Sequence, residues 1–170
     1  RLGIGPLSRM ARRLGLGEVY DCGIAQQKPG VVPDPDWKRG ALGRGWVGGE
    51  TVLAGIGQGY VTTTPLQLAV MTARLANGGN AVIPHIARDL AEERNLKERG
   101  AAAAAPKLGI SEKNLAIVLQ GMAEVMQHRS GTAYRSRIAE PGKEMAGKTG
   151  TSQVRRITRS ERATGVIAND

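Results

Sequence analysis

Three adjacent residues near the end of the sequence, Lys148, Thr149 and Gly150, carry groups that suit the binding of a carboxylate. An ammonium and a hydroxyl placed side by side can hold a carboxylate through one charge-assisted and one neutral hydrogen bond. The glycine beside them lets a ligand lie close to the backbone, because glycine has no Cβ. Residues 148–157 are rich in β-branched side chains and alternate in polarity, which predicts a strand. The pattern therefore indicates a carboxylate-binding strand edge.

The same lysine and threonine end a second pattern. Residues 142–149, GKEMAGKT, match the phosphate-loop motif G-x-x-x-x-G-K-[ST]. A phosphate loop follows a buried strand, and a helix begins at its lysine and threonine. Here polar residues precede the motif, and Gly150 and Thr151 follow it, which favours extended backbone. A nucleotide-binding domain built on this loop remains an alternative: a helix over 149–157 would favour it, whereas a strand would favour the carboxylate site.

Patterns for a metal site or a serine nucleophile are missing from the sequence. His85 and His128 are far apart, and Cys22 is the single cysteine, so no metal-ligand spacing occurs. None of the six serines has a lysine three positions later or an asparagine two positions later. We therefore expect no metal, no organic cofactor and no S-x-x-K nucleophile within these residues, and Cys22 is expected to be an inert packing residue.

Composition places the chain among globular proteins. It has 170 residues, 41% apolar and 23% charged, which suits one domain with its own core. No apolar run reaches the roughly 18 residues that a membrane-spanning helix needs. Aromatic residues make up 3% of the chain, which argues against a base-stacking nucleic-acid surface. The net charge of +9 suits an anionic surface, so a basic, non-catalytic module that binds an anionic polymer is a further alternative.

Several elements follow from local signals. Helices are predicted over 6–14, over 64–77, where Thr64 and Gln67 form a capping box, and over 111–128, where Ser111 caps. A strand is predicted over 80–86, a long irregular connection over 28–50, and a solvated helix or mobile excursion over 91–106. The helices over 64–77 and 111–128 are expected to bury apolar faces in one shared core; these faces are Leu68, Met71 and Leu75, and Leu115, Val118, Leu119, Met122, Val125 and Met126.

A longer stretch identifies a family. GIGQGYVTTTPLQLAVMTARLANGG, at residues 55–79, is followed by AGKTGTSQV at residues 146–154, and together they closely resemble the transpeptidase domain of class B penicillin-binding proteins, in particular its elongation-type members. KPGVVPDPDWK and SGTAYRSRI also resemble that family, and the resemblance covers nearly all of residues 1–157. Lys148-Thr149-Gly150 is then the third signature of penicillin-recognising serine enzymes.

The resemblance implies a fold, a reaction and partners. The fold would be α/β (α+β), an antiparallel sheet with packed helices, and Lys148 and Thr149 would bind the substrate or β-lactam carboxylate. Gly150 and Thr151 would line the strand edge that faces the acyl group. The substrate would be the D-Ala-D-Ala end of a peptidoglycan stem peptide, attacked by a serine without a metal or cofactor. The partner would be the membrane glycosyltransferase of the elongation machinery, at the periplasmic side of the inner membrane, and no nucleic acid would bind.

The sequence departs from the family pattern in its missing motifs. S-x-x-K and S-x-N are both absent, and in the family both precede the region at which Arg1 begins. The chain also opens without an initiator Met or signal pattern and stops without a closing element. We therefore expect residues 1–170 to be a partial transpeptidase domain that lacks these segments and the end of the sheet. Such a chain alone would be inactive and would not react with penicillin.

Overall fold

A computed structural model describes residues 2–86 and 106–152 of the chain. Five α-helices lie in these ranges, followed by the 3₁₀-helix Tyr134–Ser136; the α-helices are α1 (Ile4–Arg13), α2 (Pro35–Leu42), α3 (Gly48–Gly55), α4 (Pro65–Ala76) and α5 (Glu112–Gln127). The chain divides into two compact units, residues 1–119 and 120–170, so α5 contributes its first turns to one unit and its last turns to the other. No helix in the described ranges combines the length and the apolar character that crossing a bilayer requires.

The helices predicted from capping signals are confirmed. Thr64 accepts a hydrogen bond from the Gln67 amide, and the Gln67 side chain accepts one from the Thr64 amide, so the capping box at the start of α4 is complete. The Ser111 hydroxyl accepts a hydrogen bond from the Asn114 amide at the start of α5. The first helix begins at Ile4, two residues before the predicted start at Pro6.

The irregular connection predicted over 28–50 is wrong, because it contains α2 and the start of α3. Asp34 caps α2 by accepting from the Trp37 amide over 2.8 Å, and Pro35 occupies the first helical position. Gly43 ends the helix in the left-handed conformation with φ of 63°. The cap, the proline and the terminal glycine were all visible in the sequence, but the many Pro and Gly residues around them obscured the signal.

The predicted antiparallel sheet is not confirmed. The β-pairing in the described ranges consists of two isolated bridges, Val31 with Thr62 and Asn80 with Lys107. The strand predicted over 80–86 is wrong, since only Asn80 pairs and the next residues are irregular. Of the strand predicted over 148–157, residues 148–152 are unpaired and 153–157 lie outside the described residues. The excursion predicted over 91–106 also lies outside them, apart from Pro106.

The core of the first unit differs from the prediction for α4. The buried face of this helix is formed by Gln67, Val70 and Arg74, whereas Leu68 is 43% exposed and Met71 and Leu75 are half-buried. Val70 packs with Tyr20 and the buried, free Cys22. The prediction for α4 failed because two polar side chains occupy the face that packs on the fold.

Polar groups on this buried face are fully paired. The Gln67 amide donates to the carbonyl oxygens of Glu18 and Pro29 over 2.7 and 2.8 Å. The Arg74 guanidinium donates to the carbonyl of Arg13 over 2.9 Å. Burial in a protein is tolerated for such groups when they are hydrogen-bonded. Hydrogen bonds from Gln67 therefore hold the loops before α2 against α4, and the one from Arg74 holds the end of α1 against it.

The predicted apolar face of α5 is confirmed for most positions. Leu115 and Met126 are buried, Leu119, Met122 and Val125 are half-buried, and Val118 is 44% exposed.

In the first unit, α1 packs against α3. In the second unit, the last turns of α5 are the main regular element, and the segments that carry the candidate site are attached to them.

Candidate carboxylate-binding site

The segment before Lys148 is held on α5 by two hydrogen bonds. The Gln127 amide donates to the carbonyl of Met145 over 2.9 Å, and the Gly147 N–H donates to the carbonyl of Met122 over 3.0 Å. Met122 and Gln127 lie in the last turns of α5, so the segment is anchored at two points along the helix. The position of Lys148 and Thr149 is therefore set by backbone contacts of the residues immediately before them.

Lys148 presents a positive charge that no described carboxylate neutralises. Its side chain is exposed, and its ammonium donates to the carbonyl of the neighbouring Thr149 over 2.7 Å. The salt bridges found in the described part of the chain involve other residues, including Lys143, which pairs with Glu140 over 2.9 Å. An ammonium that bonds only a carbonyl keeps donor capacity for an anion, because it carries three N–H groups.

Thr149 makes a contact that the sequence did not predict. Its hydroxyl oxygen lies 3.0 Å from the hydroxyl oxygen of Thr132, in the loop that follows α5. Gly150 and Thr151 are exposed, and a Cβ built on Gly150 would meet no atom within 4 Å. All four predicted site residues thus lie on one open segment, and the structure adds Thr132 to them. The backbone of this segment is unpaired in residues 148–152.

Gly131 explains how the loop that carries Thr132 is held close to α5. A Cβ at this position would overlap the carbonyl oxygens of Glu124 and Val125. The N–H of Gly131 donates to the carbonyl of His128, and the N–H of Ala133 donates to that of Val125 over 3.1 Å. Only a residue without a Cβ fits here. The sequence shows a glycine just after the helix, but it does not show which atoms this glycine packs against.

The phosphate-loop alternative is disfavoured by the contacts of Glu144. Its carboxylate accepts a hydrogen bond from the Gly142 amide over 3.1 Å, inside the stretch where loop amides would have to face a phosphate. Hydrogen bonds from the Glu144 and Gly142 amides lower the pKa of this carboxyl, so a negative charge is held there. No helix begins at Lys148 and Thr149. The Gly142 amide is therefore already paired with a carboxylate, and the helix that a phosphate loop needs does not begin at its lysine and threonine.

Neither histidine belongs to a metal site in the part of the chain that the structure describes. His85 is exposed, and Nδ1 of the exposed His128 accepts a hydrogen bond from the Ser130 amide over 3.2 Å. Within residues 2–86 and 106–152, no three His, Cys, Asp or Glu side chains come together as a metal site would require.

The second unit contains five basic and three acidic residues between positions 120 and 152, which favours an anionic ligand there.

The chain matches a known protein family over most of its length. The model of the penicillin binding protein transpeptidase domain matches residues 1–165. The chain belongs to the penicillin-binding protein transpeptidase family.

Its relatives include peptidoglycan D,D-transpeptidases. The chain is 32% identical over 162 residues to the peptidoglycan D,D-transpeptidase MrdA of Acinetobacter baumannii, which covers 95% of this chain and 24% of that protein. It is 31% identical over 153 residues to MrdA of Escherichia coli K12, which covers 90% of this chain and 24% of that protein. The chain therefore spans about a quarter of the length of these curated relatives.

Solved structures of penicillin-binding protein 2 have a similar fold. The protein from Helicobacter pylori superposes with a TM-score of 0.72 at 32% identity, covering 90% of this chain and 27% of that one. The Pseudomonas aeruginosa protein, solved in complex with WCK 5153, has a TM-score of 0.65 at 32% identity, covering 79% of this chain and 30% of that one. The resemblance to elongation-type members of the family is thereby confirmed.

Proposed function

We propose that residues 1–170 are part of the transpeptidase domain of a peptidoglycan D,D-transpeptidase and carry its carboxylate-binding segment. Family membership over residues 1–165 and the MrdA relatives support this proposal. The S-x-x-K nucleophile, the S-x-N motif and the end of the sheet lie outside these residues. The sequence supports that division, because none of its six serines has the required lysine or asparagine.

The reaction is acyl transfer through a serine ester. The serine oxygen attacks the carbonyl carbon of the penultimate D-Ala, the peptide bond breaks, and the terminal D-Ala leaves as a free amino acid. An amine of a neighbouring stem peptide then attacks the acyl-enzyme, which forms the cross-link and releases the serine. β-Lactams acylate the same serine, because they resemble the D-Ala-D-Ala end. No metal ion or organic cofactor takes part.

Lys148 and Thr149 bind the carboxylate of the terminal D-Ala or of the β-lactam. The observation that carries this assignment is an exposed ammonium without a described carboxylate partner, next to an exposed hydroxyl. A carboxylate accepts both hydrogen bonds, and the bond from the ammonium is charge-assisted. Gly150 and Thr151 continue the same open segment, where the absence of a Cβ at Gly150 leaves room for the acyl group.

Partners and location follow from the same family assignment. The enzyme works at the periplasmic side of the inner membrane with the membrane glycosyltransferase of the elongation machinery. One solved relative supports a role in an assembly: penicillin-binding protein 2 of Helicobacter pylori was solved in complex with MreC, with a TM-score of 0.73 to this chain. The peptidoglycan stem peptide and β-lactams are the ligands of the site.

The experiment maps the serine that penicillin acylates. The full-length protein that carries this sequence is labelled with a fluorescent penicillin, digested and analysed by peptide mass. We expect the label on a serine of an S-x-x-K motif outside residues 1–170, and we expect the 170-residue chain alone to stay unlabelled. A label on Ser111, Ser130 or any other of the chain's six serines would contradict the proposal.

A cross-linking assay tests the transferase activity itself. The full-length protein is incubated with a stem peptide that ends in D-Ala-D-Ala and with a second stem peptide that carries the acceptor amine. We expect release of D-Ala together with a cross-linked product, and we expect prior treatment with penicillin to abolish both. If penicillin labels the protein but neither D-Ala nor the cross-linked product is formed, the transpeptidase assignment is contradicted.

A further inference from the structure

We propose that Thr132 is a positioning residue that orients the hydroxyl of Thr149 toward the carboxylate; this inference rests on the proposed function. The two hydroxyl oxygens are 3.0 Å apart, a hydrogen-bonding distance, although the residues belong to different segments. Thr132 follows α5 in the loop after Ser130, whereas Thr149 follows the segment tethered by Gln127 and Met122.

The position of Thr132 is fixed by its neighbours on both sides. Gly131 lies against the carbonyl oxygens of Glu124 and Val125 so closely that a Cβ would not fit. Ala133 donates its N–H to the carbonyl of Val125, and the Tyr134 N–H donates to the carbonyl of Gly131 over 3.1 Å. Thr132 thus lies between two residues that are attached to the last turns of α5, so its hydroxyl is presented at a defined place.

The direction of the hydrogen bond determines what Thr149 can do. A hydroxyl has one hydrogen to donate and can accept two hydrogen bonds. If Thr149 donated to Thr132, its hydrogen would be used and a carboxylate would meet only lone pairs. If Thr132 donates to Thr149, the Thr149 hydrogen is free to point at the carboxylate. We assign the second arrangement to the ligand-bound state, because a carboxylate accepts hydrogen bonds and cannot donate them.

The hydroxyl pair contributes little to folding, which separates it from the structural contacts nearby. Both threonines are exposed, so water competes for their hydroxyls, and the loop is already held by Gly131 and Ala133. Removing the Thr132 hydroxyl should therefore leave the loop in place and affect only the orientation of Thr149. The conservative change Thr132→Ser keeps a hydroxyl at the same position.

The experiment measures acylation of the full-length protein by a penicillin and by the same penicillin with its carboxylate esterified. We expect Thr132→Val to lower the second-order acylation rate for the free carboxylate by about twofold to tenfold, the effect of one neutral hydrogen bond. We expect no change for the ester, recovery of the rate in Thr132→Ser, and an unchanged melting temperature in both variants. In a Thr149→Val background, Thr132→Val should have no further effect.

The outcomes separate this inference from the proposed function. If Lys148→Ala and Thr149→Val lower acylation by the free carboxylate but Thr132→Val does not, the positioning role is wrong and the carboxylate site stands. Equal losses for the carboxylate and the ester in Thr132→Val would also overturn it, since they would mark general damage to the loop. If neither Lys148→Ala nor Thr149→Val changes acylation, the proposed site itself is wrong.

Discussion

The Nε2 atom of Gln67 donates a hydrogen bond to the carbonyl oxygen of Glu18 over 2.7 Å, from a side chain that is only 1% exposed. The same amide group also donates to Pro29, and its oxygen accepts hydrogen bonds from Thr63 and Thr64. A polar residue on a helix near the middle of the chain thus holds the loops before α2. Gln67 lies within residues 55–79, the stretch that resembles the family. A substitution at this position therefore tests whether that stretch stabilises the fold.

Replacing Gln67 by Leu should destabilise the protein by about 1–3 kcal/mol, because the hydrogen bonds from the buried Gln67 side chain to the carbonyls of Glu18 and Pro29 are lost. The control is Leu68→Ala, on the same helix at a position that is 43% exposed, and it should cost less than about 1 kcal/mol. Urea unfolding of both variants measures the difference. A larger loss of stability in Leu68→Ala than in Gln67→Leu would instead support the apolar face that the sequence pattern predicted.

Two glycines near the end of α5 should respond to alanine with opposite signs. Gly131→Ala brings a Cβ into the carbonyls of Glu124 and Val125 and should cost about 1–3 kcal/mol. Gly121→Ala places a Cβ in open space on an exposed helical position and should stabilise by roughly 0.5–1 kcal/mol. Melting temperatures check both values. A neutral Gly131→Ala would mean that the loop with Thr132 is not packed against the helix as described.

Stability should depend on pH through Glu50. A hydrogen bond from Lys38, which is 3% exposed, and one from the Val47 amide lower the pKa of this carboxyl below its usual 4.5. Its stabilising contribution is therefore fully present above about pH 4.5 and is lost as the pH falls through the lower folded-state pKa. Glu50→Gln should reduce the melting temperature at pH 7 and have a shrinking effect in acid.

The control for this pH dependence is Glu112→Gln, an exposed carboxyl at the start of α5. The difference in melting temperature between the Glu112→Gln variant and the unchanged protein should stay small between pH 7 and pH 3. The melting temperature at several pH values gives the comparison. A Glu50→Gln effect that stays constant, or grows, as the pH falls would contradict the ion pair with Lys38.

Local signals in the sequence were enough for part of the fold. The caps of α4 and α5 depend on residues within one turn, so Thr64, Gln67 and Ser111 could be recognised from the order of the residues alone. The buried face of α4 could not, because Gln67 and Arg74 are buried only once distant backbone carbonyls supply their partners. A hydrophobic pattern assumes that polar residues face water.

The candidate site shows the same division. Lys148, Thr149, Gly150 and Thr151 are adjacent, so their chemistry could be read from their types alone. Thr132 precedes Thr149 by 17 positions, and its contact depends on how Gly131 packs on α5. The sheet expected from the family resemblance requires strand partners, and residues 2–86 and 106–152 supply only the two isolated bridges. Long-range pairing is the feature that local patterns determine least.

Lys148 is proposed to bind a carboxylate, and the acylation rate of the full-length protein by a penicillin measures the effect of that binding. Lys148→Ala removes a charge-assisted hydrogen bond and should lower the second-order rate roughly tenfold to hundredfold, while Thr149→Val should lower it less. The matched control is Lys143→Ala, which removes an exposed lysine that pairs with Glu140 and should leave the rate unchanged. An unchanged rate in Lys148→Ala, together with a large fall in melting temperature, would contradict the claim and make this lysine a structural residue.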